Sequence, residues 1–123
     1  MTARNWHFRL YIEDIELSMT RILEYAEGMD LLKFKQSYMA VDAVVRNFEI
    51  IGEAAKNLPS EIKDKYPEIP WKKMYGLRIL ISHEYFGIDY EMIWEIITSD
   101  LPQNLADIQE ILKKESNTGG NTE

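Results

Sequence analysis

The sequence predicts an all-α protein built as an up-and-down bundle of four to five helices. Apolar residues recur at helical spacing over several long segments, which is typical of helices with one buried face. Glycines and prolines fall between those segments, and no segment has the pattern of a strand. With 123 residues, of which 46% are hydrophobic, the chain is long enough for one core but not for two.

The first two helices have apolar stripes with recognisable ends. The first runs from about residue 5 to residue 26, and Gly28 ends it as a C-terminal cap. The second starts at Phe34 or Ser37 and ends at Asn57, with a stripe broad enough to bury against two neighbours. We therefore expect the second helix to contact two others.

The third helix is apolar on nearly every side. Three prolines interrupt the helical pattern over residues 57–70, which leaves room for a single turn after Ser60. Pro70 suits the first position of a helix over residues 71–83, where its missing N–H would be unpaired in any case. A small bundle cannot easily cover such a helix, so the sequence predicts cover from a second subunit.

The last part of the sequence predicts a fourth helix, a further helix that begins at Leu101, and a tail. Asp89 is placed to cap the fourth helix, and Leu101 and Pro102 begin the last one. Residues 116–123 contain no apolar side chain and include two adjacent glycines. We therefore expect a helical domain over residues 1–115 and a disordered tail over residues 116–123.

Composition restricts the compartment and the kind of partner. The chain has no cysteine, which excludes disulfides and thiolate zinc sites and favours a reducing, intracellular compartment. The N-terminus lacks the apolar run of a signal peptide, and no run is long enough to cross a membrane. We therefore expect a cytoplasmic protein. A net charge of −7 argues against a protein that coats nucleic acid by bulk electrostatics.

Charge is unevenly distributed around the third helix. Five basic residues and two acidic ones lie between Lys63 and Arg78, whereas residues 84–112 contain seven acidic residues and no lysine or arginine. One interpretation is two solvated helix faces. The other is a phosphate-binding site, with Lys72 and Lys73 extending its rim, followed by an acidic surface that suits a basic partner.

The apolar segment over residues 76–89 contains Arg78 and His83, neither of which folding alone would require, and Tyr85 follows them. His83 and Arg78 suit acid–base chemistry at a phosphate group, because an imidazole with a pKa of about 6.5 can move protons and a guanidinium can neutralise phosphate. Their spacing does not place them on one face of an ideal helix, whereas Ser82 shares a face with Arg78. The chain has only two histidines, and His7 is close to the N-terminus. A base and an acid are therefore most easily obtained from two copies of His83 across a two-fold axis.

Arg78, His83 and Tyr85 could each have a purely structural role instead. Arg78 could pair with Glu49 or Glu53, which are four residues apart on one helix face, and His83 could cap a helix end. Tyr85 could pack as aromatic cover. Glu49 and Glu53 could also suggest a metal site, but neither histidine has an acidic residue three positions before it, as a di-iron bundle requires. We therefore expect no metal.

The pattern Arg-x4-His-x-Tyr resembles the signature of the HEPN superfamily of helical ribonucleases, and more narrowly the HepT-type toxins encoded beside a minimal nucleotidyltransferase antitoxin. The similarity extends from Leu10 to Leu112 and includes residues 46–54, 66–71 and 90–94 in family order. One position departs from the family: Ile79 stands where a polar residue often follows the arginine.

The resemblance implies a cleft shared by a homodimer, in which Arg78 binds phosphate and His83 is the general base or acid. It implies products with a 2′,3′-cyclic phosphate and a 5′-hydroxyl, and no cofactor. It also implies that an ATP-using nucleotidyltransferase antitoxin transfers AMP onto Tyr85. Two alternatives remain open at this point: a non-catalytic helical module that docks a nucleotidyltransferase, and a scaffold bundle in which Arg78 contributes only stability.

Overall fold

The structure is a computed structural model that describes the backbone of residues 2–81 and 89–121, and the side chains of residues 8–77 and 89–115. Within those ranges every regular element is helical, which confirms the predicted all-α class. The elements are α1 (Thr2–Ala26), α2 (Leu31–Gln36), α3 (Tyr38–Asn57), α4 (Ser60–Lys65), α5 (Trp71–Ile81), α6 (Tyr90–Glu95), a π-helical turn (Ile96–Asp100) and α7 (Leu101–Asn121).

The core lies between the long helices. Helix α3 packs against both α1 and α5, and α1 also packs against α7, whereas the short α2 packs against α3 and α6. The predicted double contact of the second helix is thus confirmed. Fully buried side chains from α1, α3 and α7 fill the centre: Ile12, Ile15, Met19, Ile22, Val44, Phe48, Ile51, Ile108 and Ile111. No helix in the described ranges is long and apolar enough to cross a membrane.

Local capping explains several helix boundaries. Gly28 ends α1 with φ of +78°, a left-handed conformation that glycine adopts without strain. The Ser37 hydroxyl accepts a hydrogen bond from the Ala40 N–H at 3.2 Å and so starts α3. Of the two starts predicted for the second helix, Ser37 is therefore the start of α3. Phe34 belongs to the separate helix α2, where its fully buried ring packs against Trp94 with centroids 5.2 Å apart.

The connection between α3 and α5 follows the prediction with one shift. The turn after Ser60 is the helix α4. Pro70 precedes α5 and accepts a hydrogen bond from the Met74 N–H through its carbonyl at 3.1 Å, so Pro70 caps the helix instead of occupying its first position. Because proline has no N–H to leave unpaired, it fits either place.

Helices α6 and α7 are joined through the π turn. The Asp89 carboxylate accepts a hydrogen bond from the Met92 N–H at 3.0 Å, which confirms the predicted cap. The Leu101 N–H donates to the Ile96 carbonyl, one residue beyond the α-helical partner. Pro102 follows directly and has no N–H to donate into the preceding turn, so a widened turn at this point costs little.

The last helix differs from its predicted end. The sequence places a boundary at 115/116, with a disordered tail beyond it, whereas the backbone of α7 is helical to Asn121. Residues 116–121 are serine, asparagine, threonine and glycine, which have low helix propensity. Their composition therefore gave no reason to extend the helix, and the domain boundary at residue 115 stays a prediction.

Candidate functional site

Helix α5 is anchored to the core on one side and carries Arg78 near its end. Trp71, Met74 and Leu77 are all buried. The Trp71 indole Nε1 donates a hydrogen bond to the Tyr66 carbonyl at 3.0 Å, which ties the start of α5 to the end of α4. A buried, hydrogen-bonded tryptophan fixes the position of the helix that leads into the motif.

The structure describes only part of the predicted motif. The backbone of Arg78 lies in α5, one helical turn after Met74. The Arg78 side chain, and the whole of Ser82, His83 and Tyr85, lie outside the described residues. The convergence of the guanidinium and the imidazole therefore stays a prediction.

The predicted acidic partners of Arg78 lie on α3. Glu49 forms an ion pair with Arg46 on the same helix at 3.7 Å, with 34% of the Glu49 side chain exposed. Glu53 is exposed, and its backbone carbonyl accepts a hydrogen bond from the Asn57 amide at 3.1 Å. The pairing of either carboxylate with Arg78 stays a prediction. Within the described residues no group of three acidic or histidine side chains could hold a metal ion.

A groove of about 780 Å³ runs beside α5. One wall comes from α5 and the residues before it, the other from the π turn and α7, and Met19, Ile51 and Met74 contribute from the core. The polar lining residues are Glu68, Lys73, Ser99, Asp100, Gln103, Asn104 and Asp107. Since Gly76 and Leu77 line the groove, it extends along α5 to the residue before Arg78.

The charge of the groove is mainly negative. Lys73 is the one cation among its described lining residues, against the carboxylates of Glu68, Asp100 and Asp107. Lys72 and Lys73 are both exposed, as the predicted rim requires. A polyanion would gain little from this groove alone. Phosphate would therefore have to be bound by the basic residues of the motif, while the α7 wall suits hydrogen-bonding or basic groups.

Sequence reasoning did not identify the α7 wall. Gln103 and Asn104 are ordinary polar residues on a partly solvated helix face, and such residues have no pattern that distinguishes a groove from open solvent. The excess of acidic residues over 84–112 is the only signal that pointed to this surface. The groove depends on how the π turn and α7 lie relative to α5, which is a tertiary property.

A second unpredicted cluster joins α7 to the end of α4. The Glu115 carboxylate accepts hydrogen bonds from the Tyr66 hydroxyl and from the Lys65 ammonium, the latter at 2.8 Å. Burial by itself would raise the Glu115 pKa, but the hydrogen bonds from Lys65 and Tyr66 outweigh it and hold that pKa below its ordinary value. Burial and the neighbouring Glu115 raise the pKa of the Tyr66 phenol.

Asn47 is a buried polar residue at the centre of α3. It is 5% exposed, and its amide donates a hydrogen bond to the Ala43 carbonyl at 2.8 Å. Its side-chain oxygen has no hydrogen-bond partner within the described part of the chain. An unpaired buried oxygen carries a desolvation cost, so Asn47 does not contribute to the fold through that atom.

A helical bundle in which one helix leads into an Arg-x4-His-x-Tyr sequence defines the class of helical ribonucleases of the HEPN type. The family model "Ribonuclease HepT-like" matches residues 15–113. The chain belongs to the HepT-like ribonuclease family.

Proteins with ribonuclease names are similar to the chain over most of its length. It is 41% identical to "Putative RNase MJ0127" of Methanocaldococcus jannaschii over 105 residues, which cover 85% of this chain and 87% of that protein. It is 40% identical to "Putative RNase TTE0752" of Caldanaerobacter subterraneus over 107 residues, covering 87% and 96% respectively. It is 38% identical to "Probable ribonuclease HepT" of Thermococcus cleftensis over 92 residues, covering 75% and 84%. No solved structure matches the chain.

Proposed function

We propose that the protein is a metal-independent endoribonuclease that acts as the toxin of a toxin-antitoxin pair. The observation that carries the proposal is the sequence Arg78-x4-His83-x-Tyr85 in a chain that belongs to a ribonuclease family. The position of α5 supports the proposal. The buried residues Trp71, Met74 and Leu77 hold this helix against the core, and the motif begins at the next residue, Arg78.

The proposed reaction is a transesterification within the RNA strand. One His83 imidazole removes the proton from a 2′-hydroxyl, whose oxygen attacks the adjacent phosphorus. The bond from phosphorus to the 5′-oxygen breaks, and a protonated His83 of the second subunit donates a proton to the leaving oxygen. Arg78 neutralises the charge that develops on the phosphorane. The products have a 2′,3′-cyclic phosphate and a 5′-hydroxyl.

The proposal includes a homodimer because each chain has two histidines and only one of them, His83, belongs to the motif. Two copies of the motif across a two-fold axis would provide a base and an acid from one residue type. The cytoplasm of a prokaryotic cell would provide the RNA substrate. The chemistry needs no cofactor.

Cleavage of total RNA by purified protein in EDTA tests the catalytic part of the proposal. We expect wild type to produce fragments with 5′-hydroxyl ends. His83→Ala and Arg78→Ala should be inactive, whereas His7→Ala, which removes the other histidine, should cleave normally. Intact RNA with wild-type protein, or equal cleavage by His83→Ala, would contradict the proposal.

The regulatory part of the proposal is AMP transfer onto Tyr85 by a partner nucleotidyltransferase. The tyrosine oxygen would attack the α-phosphorus of ATP, with pyrophosphate as the leaving group. A bulky anionic group two residues from His83 would compete with RNA phosphate by charge and by occupancy. Coexpression with the adjacent gene product should add the mass of AMP to the wild type but not to Tyr85→Phe.

A non-catalytic module that docks a nucleotidyltransferase is the second candidate function. The observation that favours it is the acidic wall of the groove formed by Asp100 of the π turn and Asp107 of α7, which suits a basic partner surface. On this hypothesis purified protein leaves RNA intact and forms a stable complex with the enzyme. Asp100→Lys combined with Asp107→Lys should then weaken the complex, and an unchanged affinity would exclude this surface.

A further inference from the structure

Helix α1 has an outward face that is unusually apolar. Its inward face is closed by Ile12, Ile15, Met19 and Ile22, none of which is exposed. On the opposite side Leu10, Leu17 and Tyr25 are exposed by 43%, 48% and 37%. The spacing of these residues, together with Asp14 and Arg21, repeats every three or four positions. All five residues therefore lie on one stripe of the helix.

The stripe is self-complementary when two copies run antiparallel. If a two-fold axis passes between positions 17 and 18, position 10 of one copy lies opposite position 25 of the other. Position 14 then lies opposite position 21, so that the Asp14 carboxylate faces the Arg21 guanidinium twice. Leu17 meets Leu17 of the second copy at the centre. An isologous contact requires this kind of self-matching.

The charges on the stripe are available for such a contact. Asp14 and Arg21 are both exposed, and neither has an ion-pair partner among the residues that the structure describes. Glu13, at the margin of the stripe, already pairs with Arg9 at 3.3 Å. Opposite charges beside apolar contacts set the partner and the orientation of two packed helices, so the Asp14 and Arg21 pairs favour the antiparallel arrangement.

We propose that the outward face of α1, formed by Leu10, Asp14, Leu17, Arg21 and Tyr25, binds a second copy of this chain through an antiparallel, two-fold helix pair. The stripe is roughly 22 Å long, from 1.5 Å of rise per residue. A single helix face of this length buries less area than the usual 800 Å² or so per partner. We therefore expect association through it to depend on protein concentration. It is separate from the dimer proposed at Arg78 and His83, and together the two contacts produce an assembly larger than a dimer.

Charge reversal and rescue test this contact by analytical ultracentrifugation over a range of concentrations. Asp14→Arg and Arg21→Asp should each weaken association about tenfold, because each change sets like charges opposite one another at both symmetric positions. A mixture of the two variants restores both opposite-charge pairs, and so does the double variant. Both should recover association to near the wild-type level.

Asp42→Arg and Arg46→Asp are the matched controls. These residues are exposed on α3, outside the stripe, and the changes alter net charge in the same way. The controls should associate as wild type does. The proposal is overturned if the α1 variants match these controls, or if neither the mixture nor the double variant regains association. RNA cleavage is measured on the same samples, so loss of the α1 contact is distinguishable from failure of the nuclease proposal.

Discussion

Replacing Tyr66 by phenylalanine should loosen the attachment of α7 to the helix that leads into the motif. Tyr66 is 5% exposed, its hydroxyl donates to Glu115, and its carbonyl accepts from the Trp71 indole. Tyr66→Phe removes one hydrogen bond to a charged acceptor, which contributes about 1.5–3 kcal/mol. Glu115 keeps its bond from Lys65, so we expect a loss of about 1.5 kcal/mol in the free energy of unfolding.

Urea unfolding at neutral pH measures that loss, and Tyr38→Phe is the matched control because Tyr38 is 81% exposed. The control should change stability by less than about 0.5 kcal/mol. In a double-mutant cycle, Tyr66→Phe and Glu115→Gln should couple by about 1 kcal/mol, because the two side chains are in contact. If Tyr66→Phe unfolds at the same urea concentration as Tyr38→Phe, the Tyr66 hydroxyl contributes nothing to stability.

The pH dependence of stability follows from the same cluster. The Glu115 pKa is lower in the folded protein than its ordinary value of 4.5, so its contribution is complete above that pH and is lost as the pH falls through the folded pKa. The Tyr66 pKa is raised from 10.0, so its contribution is complete below that pH and is lost as the pH rises toward the folded pKa. Tyr66→Phe should therefore remove part of the alkaline loss, measured by urea unfolding across pH 7 to 11.

Three further changes test the fold and the groove. Phe34→Ala should cost about 3–5 kcal/mol in unfolding free energy, because the fully buried ring packs on Trp94; a loss below about 1 kcal/mol would contradict this packing. Asp89→Ala should cost about 1 kcal/mol through loss of the α6 cap, whereas Asp89→Asn should retain most of it. Lys73→Ala should lower RNA cleavage about threefold at low salt and not at high salt, with Lys33→Ala unchanged; equal effects would exclude a role for Lys73.

The ends of helices could be predicted where a single residue forms the cap. Gly28 and Asp89 end or start helices through their own conformation or side chain, so their roles are visible in the sequence. The start of α3 was left between two residues because Phe34 continues the apolar pattern into α2. The hydrogen bond from the Ala40 N–H to Ser37 decides that boundary, and a serine in a helical pattern does not reveal it.

Features that depend on packing between distant segments could not be predicted. The groove is lined by α5, by the π turn over Ile96–Asp100 and by α7, which are distant from one another in sequence. The contact between Tyr66 and Glu115 joins residues that are 49 positions apart. Of the site, the sequence provided the motif and its family, because three spaced residues carry the chemistry, whereas the only signal for the groove beside α5 was the excess of acidic residues over 84–112.

The specific activity of a mixed dimer tests the shared cleft most directly. Two differently tagged copies, one wild type and one His83→Ala, can be coexpressed and the mixed dimer purified through both tags. If two His83 imidazoles serve one cleft, the mixed dimer should have far less than half the activity of the wild-type dimer. If it has half of that activity, each subunit cleaves RNA independently, and the account of a base and an acid from two copies of His83 is contradicted.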